Sequence, residues 1–166
     1  MALDTMQELL VEELRDIYSA EQQLVKALPK LAGAVTAPSL QDALQDHLAE
    51  TVGHVRRLEQ IFEALGQKAS GKKCKGMAGL VEEGEEMAGE KGSELVRDAG
   101  VISSAQRMEH YEIAAYGCAI THARLLGLED VAALLEQTLA EEKLADEKLS
   151  TIAGQEVNGS ALHVTH

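Results

Sequence analysis

The sequence predicts an all-α fold: four long helices forming two antiparallel hairpins, joined by a long crossover that carries a short fifth helix. Three observations predict it. Helix formers dominate, with only 2 prolines, no tryptophan and 2% aromatic residues, so a β-sandwich lacks its usual material. Apolar residues recur at steps of three and four through four long stretches. The breaks between those stretches fall at one short, one long and one very tight connection, which sets which helices pair.

The first helix is expected from Asp4 or Thr5 to Ala34, on the apolar line Leu10, Leu14, Ile17, Leu24, Leu28 and Leu31. Pro29 lies late in that line and should bend the helix rather than end it. "TAPS" (36–39) breaks the chain, with Thr36 or Ser39 as the next N-cap. A second helix follows from Leu40 to Leu65, with Leu40, Leu44, Leu48, Val55, Leu58, Ile61 and Phe62 inward and Gly66 as its stop. "GQKASGKKCKG" (66–76) reads as a basic, glycine-rich connection, and "MAGLVEEGEEMAGE" (77–90) as a glycine-weakened helix docked across one end. A third long helix runs from Ser93 to Leu126, where Gly127 stops it, and a fourth from Leu128 or Asp130 to Ala153. So tight a turn makes these two antiparallel neighbours. "GQEVNGSALHVTH" shows no period, so the division is a bundle over 1–154 and a frayed tail over 155–166.

A net charge of −13 opposes nucleic-acid binding, which needs a basic face, and suits a site for cations. No apolar run approaches the ~20 residues of a membrane span. The opening "MALDTMQELLVEELRD" has acids where a secretory leader has a basic and then an apolar region, and Cys74 and Cys118 stand isolated. Both features predict a cytoplasmic protein. Cys118 is expected in the core.

Acids interrupt the inward lines. Glu21 lies on the first, Glu109 and Glu112 on the third beside Tyr116, and Glu142 and Asp146 on the fourth. On the second helix His47, Glu50 and His54 step by three and four. Glu142 is preferred over Glu141 as the inward acid, and His47 is either a ligand or a satisfied core histidine. Burying unpaired charge is costly, yet each long helix carries an acid near its middle, where all four can share one level. Two divalent cations would offset them, and carboxylates with imidazole suit iron, manganese or zinc. Glu50 with His54, and Glu142 with Asp146, repeat one four-residue spacing, which suggests two half-sites.

"RDIYSAEQQLVKALPKLA", "HLAETVGHVRRLEQIFE", "MEHYEIAAYG" and "TLAEEKLADEKL" closely resemble the YciE/YciF-like bacterial stress proteins of the ferritin-like superfamily, over residues 5–153. The resemblance implies a rubrerythrin-like four-helix bundle, a homodimer and a stress role. It carries over Glu21, Glu50, His54, Glu109, Glu112, Glu142 and Asp146 as metal ligands. The expected function is a di-metal protein, iron first, acting as an oxidase, peroxidase or ferroxidase on dioxygen or peroxide. The alternative is a dimer whose ions only hold the fold. This chain departs from the Glu-x-x-His pattern of di-iron bundles: Glu50 and His54 are four apart, and Asp146 stands where a second histidine is expected.

Overall fold

Thr5 opens the first helix with a reciprocal cap: its hydroxyl accepts from the Glu8 amide at 3.2 Å while the Glu8 carboxylate accepts from the Thr5 amide at 2.8 Å. The computed structural model describes residues 3–164. In it α1 spans Met6–Ala34, α2 Pro38–Ala64, α3 Lys75–Gly89, α4 Glu94–Leu125 and α5 Glu129–Ile152. A π-turn, Ala153–Val157, then leads into α6, Asn158–Leu162. There is no strand among the described residues, and no described helix is long and apolar enough to cross a membrane.

Two glycines end helices as the sequence suggests. Gly66 (φ 63°) and Gly127 (φ 69°) take the left-handed conformation. The amides of Gln67 and Leu128 then reach back to the Phe62 and Ala123 carbonyls, each at 2.9 Å. The second of these turns makes α4 and α5 neighbours. Around the bundle α1 packs on α2, α2 on α5, α5 on α4 and α4 on α1, with α3 against α1 and α4.

Two apolar clusters fill the two ends of the bundle. One holds Leu24, Leu28, Leu31, Leu40, Leu44, Ile102, Met108 and Leu149, the other Leu10, Leu14, Ile17, Leu58, Ile61, Phe62 and Leu135. Each fully buried side chain of this size stabilises the fold by about 1.5–3 kcal/mol. Glu21, His47, His54, Glu109, Glu112 and Glu142, from four different helices, lie between them along the sequence of every helix.

The structure differs from the sequence-based expectation at five places. The N-cap of α2 is Ala37, without a side-chain cap; Asp98 of α4 reaches across and accepts from the Thr36 and Ala37 amides and the Thr36 hydroxyl. Leu48 and Val55 are only half-buried, because His47, Thr51 and His54 hold the inward line there. Instead of crossing one end, α3 runs antiparallel along α4: Gly76 faces Tyr111, Gly84 faces Met108 and Met87 faces Gly100. Cys118 is exposed, and Cys74 is buried. Finally, residues 155–162, expected to fray, continue α5 through the π-turn and α6. Their apolar residues miss the helical period because the π-turn adds one residue to the turn, so that Val157 rather than Glu156 joins Leu149 and Ile152 in the core. Residues 165 and 166 of the expected tail lie outside the described residues.

Candidate metal centre

Helical phase brings six donors into the middle of the bundle. Glu21 sits between Ile17 and Leu24 on α1, Glu142 follows Leu135 and Thr138 on α5, and Glu109 and Glu112 precede Tyr116 on α4. From α2 come His47 and His54. They fall into two groups that share one carboxylate. His47, Glu109, Glu112 and Glu142 form the first, and Glu21, His54 and Glu142 the second. Within each group one donor atom per residue lies within 4.8 Å of every other, the scale of a single coordination shell.

The close approaches are those of converging donors. His47 Nε2 lies 3.0 Å from Glu109 Oε1 and 3.6 Å from Glu142 Oε2. His54 Nδ1 lies 2.9 Å from Glu142 Oε1 and 3.3 Å from Glu21 Oε1. Yet both of these ring nitrogens, both oxygens of Glu112, both of Glu142, and Oε2 of Glu21 and of Glu109 are buried without a hydrogen-bond partner. Lone pairs that converge on a common point between helices, rather than on each other's protons, fit a bound cation.

Electrostatics say the same. Burial raises the pKa of Glu112 well above the usual carboxylate range, and repulsion from Glu21, Glu142 and Glu109 adds to it. Burial likewise raises Glu21, and pushes Glu142 up to about 7. Burial alone would lower both histidines, but the acids outweigh it. Glu142 and Glu21 hold His54 at about 10, and Glu109 foremost, with Glu50 and Glu142, holds His47 well above its ordinary value. Protons therefore supply positive charge wherever a cation does not, and a cation that binds displaces them.

A second layer orients the donors. His54 Nε2 is 2.8 Å from Glu141 Oε2, and Arg57 grips Glu141 with two nitrogens, at 3.0 and 3.2 Å. Glu141 is the natural acceptor of the Nε2 proton, so Nδ1 faces the centre, where a bound cation would take the place of its proton. The Tyr116 hydroxyl, kept protonated by burial, donates to Glu21 Oε1 and leaves Oε2 free. Tyr18 and Tyr111 bond elsewhere, to Glu59 and to Asp16 with Cys74.

Of the seven ligands expected from the sequence, the structure brings together Glu21, His54, Glu109, Glu112 and Glu142. It does not bring in Glu50 or Asp146. The side chain of Glu50 is 45% exposed and touches only the outer edge of His47, at 3.4 Å. Asp146 accepts from Gln106 at 3.0 Å and pairs with His110 at 3.1 Å, outside the cluster. On α2 the inward line is set by phase: at about 100° per residue seven residues return to within about 20°, and Glu50 is turned roughly 60° from His47. His47 and His54 are seven apart and share a line, so His47 takes the place expected of Glu50. That spacing is visible in the sequence; the brace from Arg57 through Glu141 is not, because it joins α2 to α5.

A pocket of about 330 Å³ opens between α2 and α5 onto this cluster. His47 and Glu109 line its floor, Ala43, Ala49, Leu144 and Ala145 its walls, and Asp46, Glu50 and Lys148 its rim. Glu21 and His54 do not line it.

Fold and cluster together define a ferritin-like helical bundle with a buried His/Glu centre that could hold metal. A family model described as a domain of unknown function (DUF892) matches residues 5–162, and the chain belongs to that family. It is 43% identical to YciF of Escherichia coli K12 over 162 residues, covering 97% of this chain and 98% of that one. The crystal structure of that E. coli stress protein superposes with a TM-score of 0.91 over 94% of this chain and 99% of the other. YcfI of Rhodopseudomonas palustris, 46% identical, gives 0.88 over 92% and 99%. A ferritin-like diiron-carboxylate protein from Bacillus anthracis gives 0.70 at 16% identity over 90% and 99%, a likeness of fold alone.

Proposed function

We propose that this protein binds two divalent metal ions, iron first, in the middle of its helical bundle, and that it serves a stress response through redox chemistry at that centre. The observation that carries this reading is the set of buried, unpartnered donor atoms on Glu21, His47, His54, Glu109, Glu112 and Glu142. Few folded proteins leave so many buried polar atoms unsatisfied in one place, and a cation satisfies them together. His47, Glu109 and Glu112 would hold one ion, Glu21 and His54 the other, with Glu142 common to both groups. Bound there, iron would supply a redox couple and an open coordination position for dioxygen or peroxide.

The chain's own part is to keep the donors aimed and dry. Arg57 and Glu141 fix the His54 tautomer, Tyr116 holds one oxygen of Glu21, and the two apolar clusters exclude water above and below. The E. coli relative is described as a stress protein, which supports the stress role. We further read the protein as a cytoplasmic homodimer without nucleic-acid or membrane partners. The strongly acidic surface supports the exclusion of nucleic acid, and sedimentation at equilibrium tests the dimer.

A second reading has its own support. All four long helices contribute a donor, so ions held there would lock the bundle even without turnover. Elemental analysis after anaerobic Fe²⁺ loading, followed by addition of peroxide, separates the two. Two irons per chain with repeated oxidation support the redox reading. Two irons without turnover leave the structural one, and no iron, manganese or zinc under any loading condition ends both.

A further inference from the structure

We propose that divalent cations reach the centre through the pocket between α2 and α5, so that the half-site of His47, Glu109 and Glu112 is filled from solvent and that of Glu21 and His54 is filled through it. This rests on the metal-binding reading above. His47 and Glu109, both almost wholly buried, line the pocket, and each carries a buried atom without a partner, Nε2 and Oε2, which marks the pocket as more than a surface hollow. The opposite half-site is closed. Glu21 and His54 have no exposed surface, and the Arg57–Glu141 pair lies over the outer nitrogen of the His54 ring.

The opening has a cause in the sequence. In di-iron bundles a histidine follows the fourth-helix glutamate by three residues. Counted from Glu142 that position is Ala145, one residue before the Asp146 expected there from the sequence, and the imidazole comes instead from His47 on the facing helix. Moving the ring to α2 leaves a methyl-lined gap on α5, and Ala49 opposite it keeps the gap clear. The floor and rim then offer oxygen and nitrogen donors in sequence. Glu50, in the mouth and within 3.4 Å of His47 Nδ1, is the first carboxylate a hydrated cation meets, and Glu109 is the next. A cation sheds water stepwise, and such a series replaces each lost water with a protein donor. Lys148 spans the mouth to Asp46 at 2.7 Å, an exposed ion pair of the kind that opens readily.

The experiment follows Co²⁺ loading of the metal-free full-length protein by stopped-flow visible absorption, with final cobalt content measured separately. Ala145→Leu and Ala49→Leu narrow the pocket without touching a donor, and Val52→Leu, in the groove between α1 and α2, is the control. Because a close-packed wall leaves no water-sized passage, loading slows by roughly tenfold or more in both pocket variants, at unchanged final content. The control loads at the wild-type rate. Should Ala145→Leu fail to fold, Ala49→Leu, at an exposed position of the wall, carries the test. Wild-type rates in the pocket variants, with full cobalt content, overturn the route and leave the metal reading standing. A wild-type protein that takes up no Co²⁺ overturns both.

Discussion

Asp98 and Glu112 are both acids of α4 with almost no exposed surface, and they are buried for opposite reasons. Around Asp98 every neighbour is a donor: two amides and a hydroxyl reach its carboxylate at 2.8–3.2 Å, closing the break between α1 and α2. Around Glu112 three further acids, Glu21, Glu109 and Glu142, press on its carboxylate, and neither oxygen has a partner. Burial alone therefore says little about a carboxylate's purpose. What surrounds it does. A satisfied acid holds the fold together, and an unsatisfied one among its own kind is held by the fold for something else.

The largest expected effect is at the satisfied end. Asp98→Ala strands the Thr36 and Ala37 donors and should cost about 2–4 kcal/mol in the metal-free protein, measurable by urea titration. A loss below about 1 kcal/mol would mean water replaces the carboxylate easily. Next comes Glu112→Leu, with the opposite sign. Replacing an unpaired buried acid by an apolar side chain of similar size should stabilise the metal-free protein by about 1–3 kcal/mol while abolishing full metal loading. A destabilised variant that still binds two ions would collapse the contrast between the two acids.

The third prediction concerns pH and belongs to the cluster alone. Glu142 stands near 7 in the folded chain against an ordinary 4.5, and His54 near 10 against 6.5. Both are raised, so the folded state holds protons that the unfolded chain releases, and stability falls as pH rises. The Glu142 contribution is lost as pH climbs from its ordinary value through about 7, and that of His54 is complete below about 6.5 and lost through about 10. The melting temperature of the metal-free protein should decline between pH 6 and pH 10, and saturating metal should flatten the decline. A metal-free protein that melts at one temperature across that range would contradict the charge balance described here. The smallest effect is expected of Asp146→Asn: partly exposed and outside the cluster, it should change stability by less than about 0.5 kcal/mol and leave metal content as it was, by the same two assays.

Much of this architecture was legible in the amino-acid order because it is written in short-range terms. The line from Leu10 to Leu31, and the stops at Gly66 and Gly127, are statements about neighbours a few residues apart. So is the placement of Glu21, Glu109, Glu112 and Glu142 inside. The misplacements have a different origin. A repeated four-residue spacing matched Glu50 to Glu142 and His54 to Asp146, while the repeat that matters on α2 is seven. The π-turn broke the period just where it extended the helix. The partners of Asp98, Glu141 and Cys74 lie tens of residues away in the sequence, beyond the reach of any local pattern.

The crossover before α3 has a consequence for how freely this chain can vary. Its composition is that of a loop that drifts, yet a side chain on Gly71 would meet the Arg15 Cβ at 2.6 Å and the Arg15 carbonyl at 3.1 Å. One on Gly76 would meet the Tyr111 ring at 2.7 Å, and that ring is anchored by Asp16 and Cys74. In a saturation mutagenesis scan these two glycines, with Gly66 and the buried Cys74, should stand out as intolerant positions inside a lysine-rich stretch whose exposed residues vary freely.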